Sequence, residues 1–194
     1  MAALVHWLHA RGARRPWMVG WRQQPAMAPC RWWEARQTGF ATACAGLGLA
    51  APPVVDPLAN PQFAFDQAGL LDQARILAGY LIEPLQAGAD AFLMLNDGPA
   101  LIIGAALRLL GRQANRDVLV TGFDNCVGSV PLEFQRLCPG GPLATFDKDE
   151  VAIGARLIEV LVQRRAGRLP PEPQRLVVPG RLVELPPSLA PVPG

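Results

Sequence analysis

Two small polar clusters, each closing a short apolar run, carry the side chains most able to do chemistry. Asn96-Asp97-Gly98-Pro99 follows Phe92-Leu93-Met94-Leu95, and Gly122-Phe123-Asp124-Asn125 follows Val118-Leu119-Val120-Thr121. A carboxylate such as Asp124 accepts from two hydroxyls at once, whereas Asn96 both donates and accepts. A continuous apolar run fits a parallel strand buried on both faces. In open α/β sheets, ligands gather just beyond the carboxyl ends of these strands. Asn96, Asp97 and Asp124 therefore stand where a ligand is expected. The competing reading is structural: Asn96 and Asp97 cap the following helix, and Asp124 merely ends a strand. A stand-alone solute-binding or enzyme-like α/β domain using Asp124 as acid or base is the alternative function. Neither a Gly-rich phosphate loop nor a Ser/His/Asp arrangement accompanies that residue in the sequence.

The elements that must position these groups have to fit into 194 residues, about one domain, with 51% hydrophobic side chains. That composition supports a folded core and argues against general disorder. The formal charge of +2 comes with no dense Lys/Arg stripe, so the chain by itself does not read as a nucleic-acid binder. Arg11, Arg14 and Arg15, and Arg164, Arg165 and Arg168, read as groups flanking helix ends. Cys30, Cys44, Cys126 and Cys138 are scattered and only His6 and His9 accompany them. No metal or other cofactor is expected, and free thiols suit a reducing, cytoplasmic setting. No apolar run reaches the roughly 18 residues of a membrane span.

Residues 2–11 place Leu4, Trp7 and Leu8 on one helical face, and Gly12 reads as a stop. Pro16 to Gly20 follows as a short strand, then a loop over 21–31. A helix is expected from about Pro29 to Ala45, with Trp33, Phe40, Ala41 and Cys44 at core spacing. Pro52 to Val55 reads as a strand and Asp56 to Phe65 as a loop. A helix over Asp66 to Ala87 carries a possible break at Pro84. The central segment supplies strand, helix, strand, with Gly98 and Pro99 at the helix start. Val127 to Gly141 reads as irregular. Asp147 to Arg165 is the clearest amphipathic helix: Val151, Ala155, Ile158 and Val162 share a face, opposite Arg156, Glu159 and Gln163. One or two strands are expected at Arg175–Val178 and Arg181–Leu185, before a Pro-rich tail at 186–194. Alternating helices and strands define an α/β three-layer sandwich on a mostly parallel sheet.

The order of these pieces resembles the effector-binding module of the lac-repressor/galactose-repressor (LacI/GalR) family of transcription regulators. The likeness rests on Arg14-Arg15-Pro16-Trp17-Met18-Val19-Gly20, on Arg36-x-x-Gly39-Phe40, and on Leu95-Asn96-Asp97. It continues in Val120-Thr121-Gly122-Phe123-Asp124-Asn125, Leu143-Ala144-Thr145-Phe146 and Val178-Pro179-Gly180-Arg181-Leu182-Val183. The resemblance implies a periplasmic-binding-protein-like (type I) fold of two lobes, with residues 1–185 supplying the second lobe plus a helix returning from the first. The helix-turn-helix and most of the first lobe are then absent, and DNA is reached only through that missing domain. It also implies a small sugar-like or nucleobase-like effector, a homodimer, no catalysis and no membrane. Arg36, Asn96 and Asp124 are the implied ligand residues. Phe65, or Phe63, would supply a stacking plate, and Lys148 falls near a polar cleft position. Departures occur at Ala13, where relatives carry His, and at Asn125, where they carry a second acid. The face of Val151, Ile158 and Val162 should lack its usual cover. The expected consequences are a different docking of this helix, a self-associated surface, or a marginally stable chain.

Overall fold

The structure is a computed structural model that describes residues 1–20, 30–56, 67–138, 140–170 and 172–186. Five strands form one sheet: β1 (Pro16–Val19), β2 (Ala91–Met94), β3 (Leu119–Thr121), β4 (Ala144–Asp147) and β5 (Arg181–Glu184). The first four run parallel, with Pro16 opposite Ala91, Ala91 opposite Leu119 and Thr121 opposite Ala144. The fifth is antiparallel, with Ala144 opposite Glu184. Beyond β1, Val55 adds a single parallel bridge to Val19, in place of the strand expected at 52–55. The mostly parallel α/β sandwich is therefore as expected.

Two helix layers cover the sheet. On one face lie α1 (Ala2–Ala10) and α2 (Arg31–Gly46), and on the other α3 (Gln67–Gln86) and α4 (Asp97–Leu109). Side chains along β2 alternate between these layers, as the two-residue period of a strand demands. Leu93 and Ala91 pack with Leu4, Leu8, Phe40 and Cys44, whereas Phe92 and Met94 pack with Leu70, Leu81, Leu101 and Ile102. Every residue of α4 from Asp97 to Leu107 is buried, so its apolar run belongs to a central helix rather than an amphipathic one.

The last strand is anchored by the first helix. Trp7 Nε1 donates to Glu184 Oε1 at 3.0 Å, and Arg11 pairs with the same carboxylate at 2.9 Å while lying over the Trp7 ring. These two donors hold the Glu184 carboxyl below its ordinary range. At the start of β1, Asp90 accepts the N–H groups of Arg14 and Arg15 at 2.7 and 2.9 Å. That clamp ties the start of β1 to the residue before β2, in step with their pairing at Pro16 and Ala91.

Several expectations need correcting. The α3 helix continues through Pro84 to Gln86, although the proline there has no N–H to give the carbonyl four residues earlier. Residues 127–141 are not irregular throughout: a 3-10 turn at Val127–Ser129 precedes α5 (Leu132–Leu137). Val130, Phe134 and Cys138 are the buried stripe there, and Gln135 donates to the carbonyls of Val127 and Val130. Ala43, not Ala41, faces the core of α2. Asp147 belongs to β4 rather than to the helix after it, and 175–178 forms no strand. Of the Pro-rich tail, 187–194 lies outside the described residues.

The last helix, α6 (Glu150–Arg165), has no buried residue. Its apolar face is open, with Val151 at 85%, Ile158 at 65% and Val162 at 59% exposure. The polar side is self-paired, Arg156 with Glu159 and Gln163 with Glu159. Only one side of α6 meets the segment at 174–178, across a groove of about 290 Å³ lined by Ile153, Leu157, Leu176 and Val178.

This asymmetry is measurable. Ile103, fully buried in α4, should cost about 2–5 kcal/mol of unfolding free energy when replaced by Ala. Ile158→Ala should change it by roughly 0.5 kcal/mol or less. Urea unfolding of both variants checks this, and an equal large loss at Ile158 would show that α6 is covered.

Candidate ligand-binding site

The two polar clusters lie side by side at the carboxyl ends of β2 and β3, because those strands are neighbours in parallel register. Asn96 leaves β2 in extended conformation and caps α4, its Oδ1 accepting from Gly98 N–H at 2.9 Å. Its Nδ2 is thereby turned toward Asp124, whose Oδ2 it meets at 2.9 Å. The capping and ligand-facing roles are therefore not alternatives: the carbonyl of one amide serves the helix and the amine serves the carboxylate.

Asp124 and Asn125 follow β3 with φ of 88° and 54°. That left-handed stretch is uncommon outside glycine, and Asp and Asn are among the side chains that tolerate it best. It is held by backbone and side-chain bonds to the neighbouring strand. Asp124 N–H donates to Phe146 carbonyl at 3.0 Å, and Asn125 N–H to Thr145 Oγ1 at 3.1 Å. The other Asp124 oxygen, Oδ1, accepts from Lys148 Nζ at 2.8 Å and from Arg36 Nη2 at 3.4 Å.

Arg36 reaches the site from α2. Its Nη1 donates to the Leu95 carbonyl at 2.8 Å, and its guanidinium lies 4.0 Å from the Phe123 ring centroid and 4.8 Å from that of Trp32. Burial pulls its pKa down while the Asp124 charge opposes that. Lys148, between β4 and α6, also pairs with Glu150 at 3.2 Å. Burial opposes its charge, but the bonds and charges of Asp124 and Glu150 outweigh it and raise the pKa. Arg36 and Asp124 are mostly covered, whereas a third of the Lys148 side chain is open to solvent.

Asp97, one residue from Asn96, does different work. It is fully buried, and its Oδ2 accepts from Cys126 N–H at 2.6 Å. Among the described residues Oδ1 has no hydrogen-bond partner, and it presses against Gly122, where a Cβ would come within 1.9 Å. Burial raises its pKa to about 6, against the lowering effects of Thr145 and Cys126. It ties α4 to the turn after β3 and offers the open side no acceptor.

Of the five expected ligand residues, Arg36, Asn96, Asp124 and Lys148 come together on one carboxylate. Phe65, like Phe63, lies outside the described residues. Sequence reading missed the clasp of Trp32 and Phe123 about Arg36. Its signal was the four-residue spacing of Trp32 and Arg36 on one helix face, with Phe123 directly before Asp124. His6 and His9 take no part, with His6 bonded to the Ala2 carbonyl on α1.

A mostly parallel α/β lobe with polar side chains gathered at its strand ends is the arrangement on which the comparison with known proteins bears. The periplasmic binding protein-like domain family matches residues 5–184. The chain belongs to this family, and solved structures of LacI-family regulators resemble it. A LacI-family regulator from Silicibacter pomeroyi is 25% identical over 97% of this chain and 60% of its own, with a TM-score of 0.63. A putative LacI-family regulator from Sanguibacter keddieii is 26% identical over 94% of this chain and 61% of its own, also at 0.63. The Lac repressor dimer bound to operator and the anti-inducer ONPF shares the fold at TM-score 0.67, with 19% identity over 97% of this chain and 57% of its own. The chain thus spans about three-fifths of the length of these three structures. No curated protein matches it significantly.

Asp97 sets a pH test. Its folded pKa of about 6 exceeds the ordinary 3.8, so the folded state holds that proton more tightly. The resulting stability is complete below about pH 4 and is lost as pH rises through 6. Its size is on the order of 2–3 kcal/mol at most. Asp97→Asn should flatten the fall in thermal midpoint between pH 5 and 7.5, and an unchanged slope would show that Asp97 does not titrate there.

Proposed function

We propose that this chain is the sensor module of a LacI-type transcription regulator, binding a small sugar-like or nucleobase-like effector without chemical conversion. The observation that supports this best is the convergence of Asn96, Arg36 and Lys148 on Asp124 at the strand ends. Side chains from three separate segments fix this carboxylate and gather two cations and an amide at one place, which is what orienting a small polar ligand requires. No catalytic step is asked of them.

In this reading the wall of Arg36, Asn96, Asp124 and Lys148 is one side of a cleft, with Phe65 as a stacking plate. The open face of α6 is the surface on which the opposite lobe would pack. Closure on an effector would shift the equilibrium between two lobe arrangements. The regulator would work as a homodimer and meet DNA through a separate helix-turn-helix domain. The Lac repressor dimer on its operator supports that arrangement by analogy of fold.

A thermal-shift screen with neutral hexoses, hexose acids and phosphates, and nucleobases tests the sensor reading. At least one compound should raise the midpoint of the 194-residue chain, and Arg36→Gln, which removes the cation held between Asp124 and the Leu95 carbonyl, should abolish the rise. A rise that persists in Arg36→Gln would place the effector elsewhere. In fluorescence anisotropy at about 150 mM salt, the chain should show no sequence-specific binding to duplex DNA. Salt-resistant, sequence-specific binding would contradict the division of labour proposed here.

A further inference from the structure

The donor and acceptor balance around Asp124 narrows the effector class. Resting on the sensor reading above, we propose that the effector carries an anionic group, a carboxylate or a phosphate, that docks between Lys148 and Arg36. Asp124 already accepts from three side chains, through Oδ2 from Asn96 and through Oδ1 from Lys148 and Arg36. A carboxylate has about four acceptor positions, so this one has little left to offer a ligand hydroxyl. The donors are in the opposite state. An ammonium has three N–H groups and a guanidinium five. Among the described residues, Lys148 uses two of its three, on Asp124 and Glu150. Arg36 points two of its five at Leu95 and Asp124.

Nearby acids do not restore the balance. Asp97 is wholly buried, with Oδ2 on Cys126 N–H and Oδ1 against Gly122. Asp147 accepts from Asp149 N–H, Asn125 and Arg181. Glu150 is mostly open to solvent at the start of α6 and meets Lys148 from the outside. The partly covered wall thus presents two cations to one saturated carboxylate, and its spare capacity is for accepting groups. A charged, acceptor-rich moiety gains charge-assisted bonds from both cations. A neutral hydroxyl must compete with the bonds already made. Lys148 is the side chain that decides this, because it is the more exposed of the two cations and can swing from Asp124 to the ligand on a flexible stem.

Isothermal titration of the 194-residue chain with matched probes tests the assignment: glucose, glucuronate and glucose 6-phosphate, and galactose, galacturonate and galactose 6-phosphate. At least one anionic member should bind about tenfold or more tightly than its neutral parent, a difference of 1.4 kcal/mol. Which of the two forms prevails tells carboxylate from phosphate. Lys148→Gln should lose that preference, and raising NaCl from about 50 to 500 mM should weaken only the anionic probe. Neutral sugars binding as tightly as their acids and phosphates, unaffected by Lys148→Gln, would overturn the anionic assignment and leave the sensor reading intact. Binding of nucleobases alone would do the same. Absence of binding by every sugar and nucleobase would overturn both.

Discussion

The Asp124 carboxylate is the point on which the polar end of this lobe depends. Its backbone takes a left-handed turn immediately after β3, so the side chain rises beyond the strand end instead of returning to the sheet. A carboxylate in that position, mostly removed from water, has to be paired or hydrogen-bonded. Asn96, Arg36 and Lys148 meet that demand from the ends of β2, α2 and β4. Each also has a second attachment: Asn96 to the first turn of α4, Arg36 to the Leu95 carbonyl, Lys148 to Glu150. Removing Asp124 would therefore take the described carboxylate partner from the partly buried Arg36 guanidinium and leave Lys148 only its outer pairing with Glu150.

Beneath this wall lies a second carboxylate with the opposite character. Asp97 faces inward, reaching the backbone that follows β3, and Gly122 lets it come so close. Two acids near one another thus divide their work. The deep one joins α4 to the β3 turn and holds its proton well above the usual range. The shallow one stays paired with cations at the open side. Rigidity below and adjustable pairing above suit a recognition site whose floor must not move when its occupant changes.

Much of this was legible from residue order. The apolar runs at 92–95 and 118–121 marked buried parallel strands, and the polar residues after each marked the site. What escaped sequence reading were features fixed by neighbours far away in the chain. Pro84 looked like a break, yet the helix runs two residues past it, on a face packed against α4. The short α5 was hidden because Val130, Phe134 and Cys138 give only one stripe of burial between Gly and Pro residues. Residue order let both Asn96 and Asp97 cap a helix, and the resemblance favoured Asn96 over Asp97 as a ligand residue. The packing of Gly122 against Asp97, and the reach of Asn96 to Asp124, give that difference a physical basis. The open face of α6 was visible as a stripe of Val151, Ile158 and Val162, though the stripe alone does not say what covers it.

The most direct measurement is nuclear magnetic resonance on uniformly ¹⁵N-labelled chain, following the Asn96 side-chain amide, the Arg36 guanidinium and the backbone amides of 122–126 as an effector found by screening is added. These groups should shift together and saturate at one affinity, with α6 amides beyond its first turn little changed. Shifts confined to the groove between α6 and residues 174–178, with Asn96 and Arg36 unmoved, would contradict a ligand site centred on Asp124.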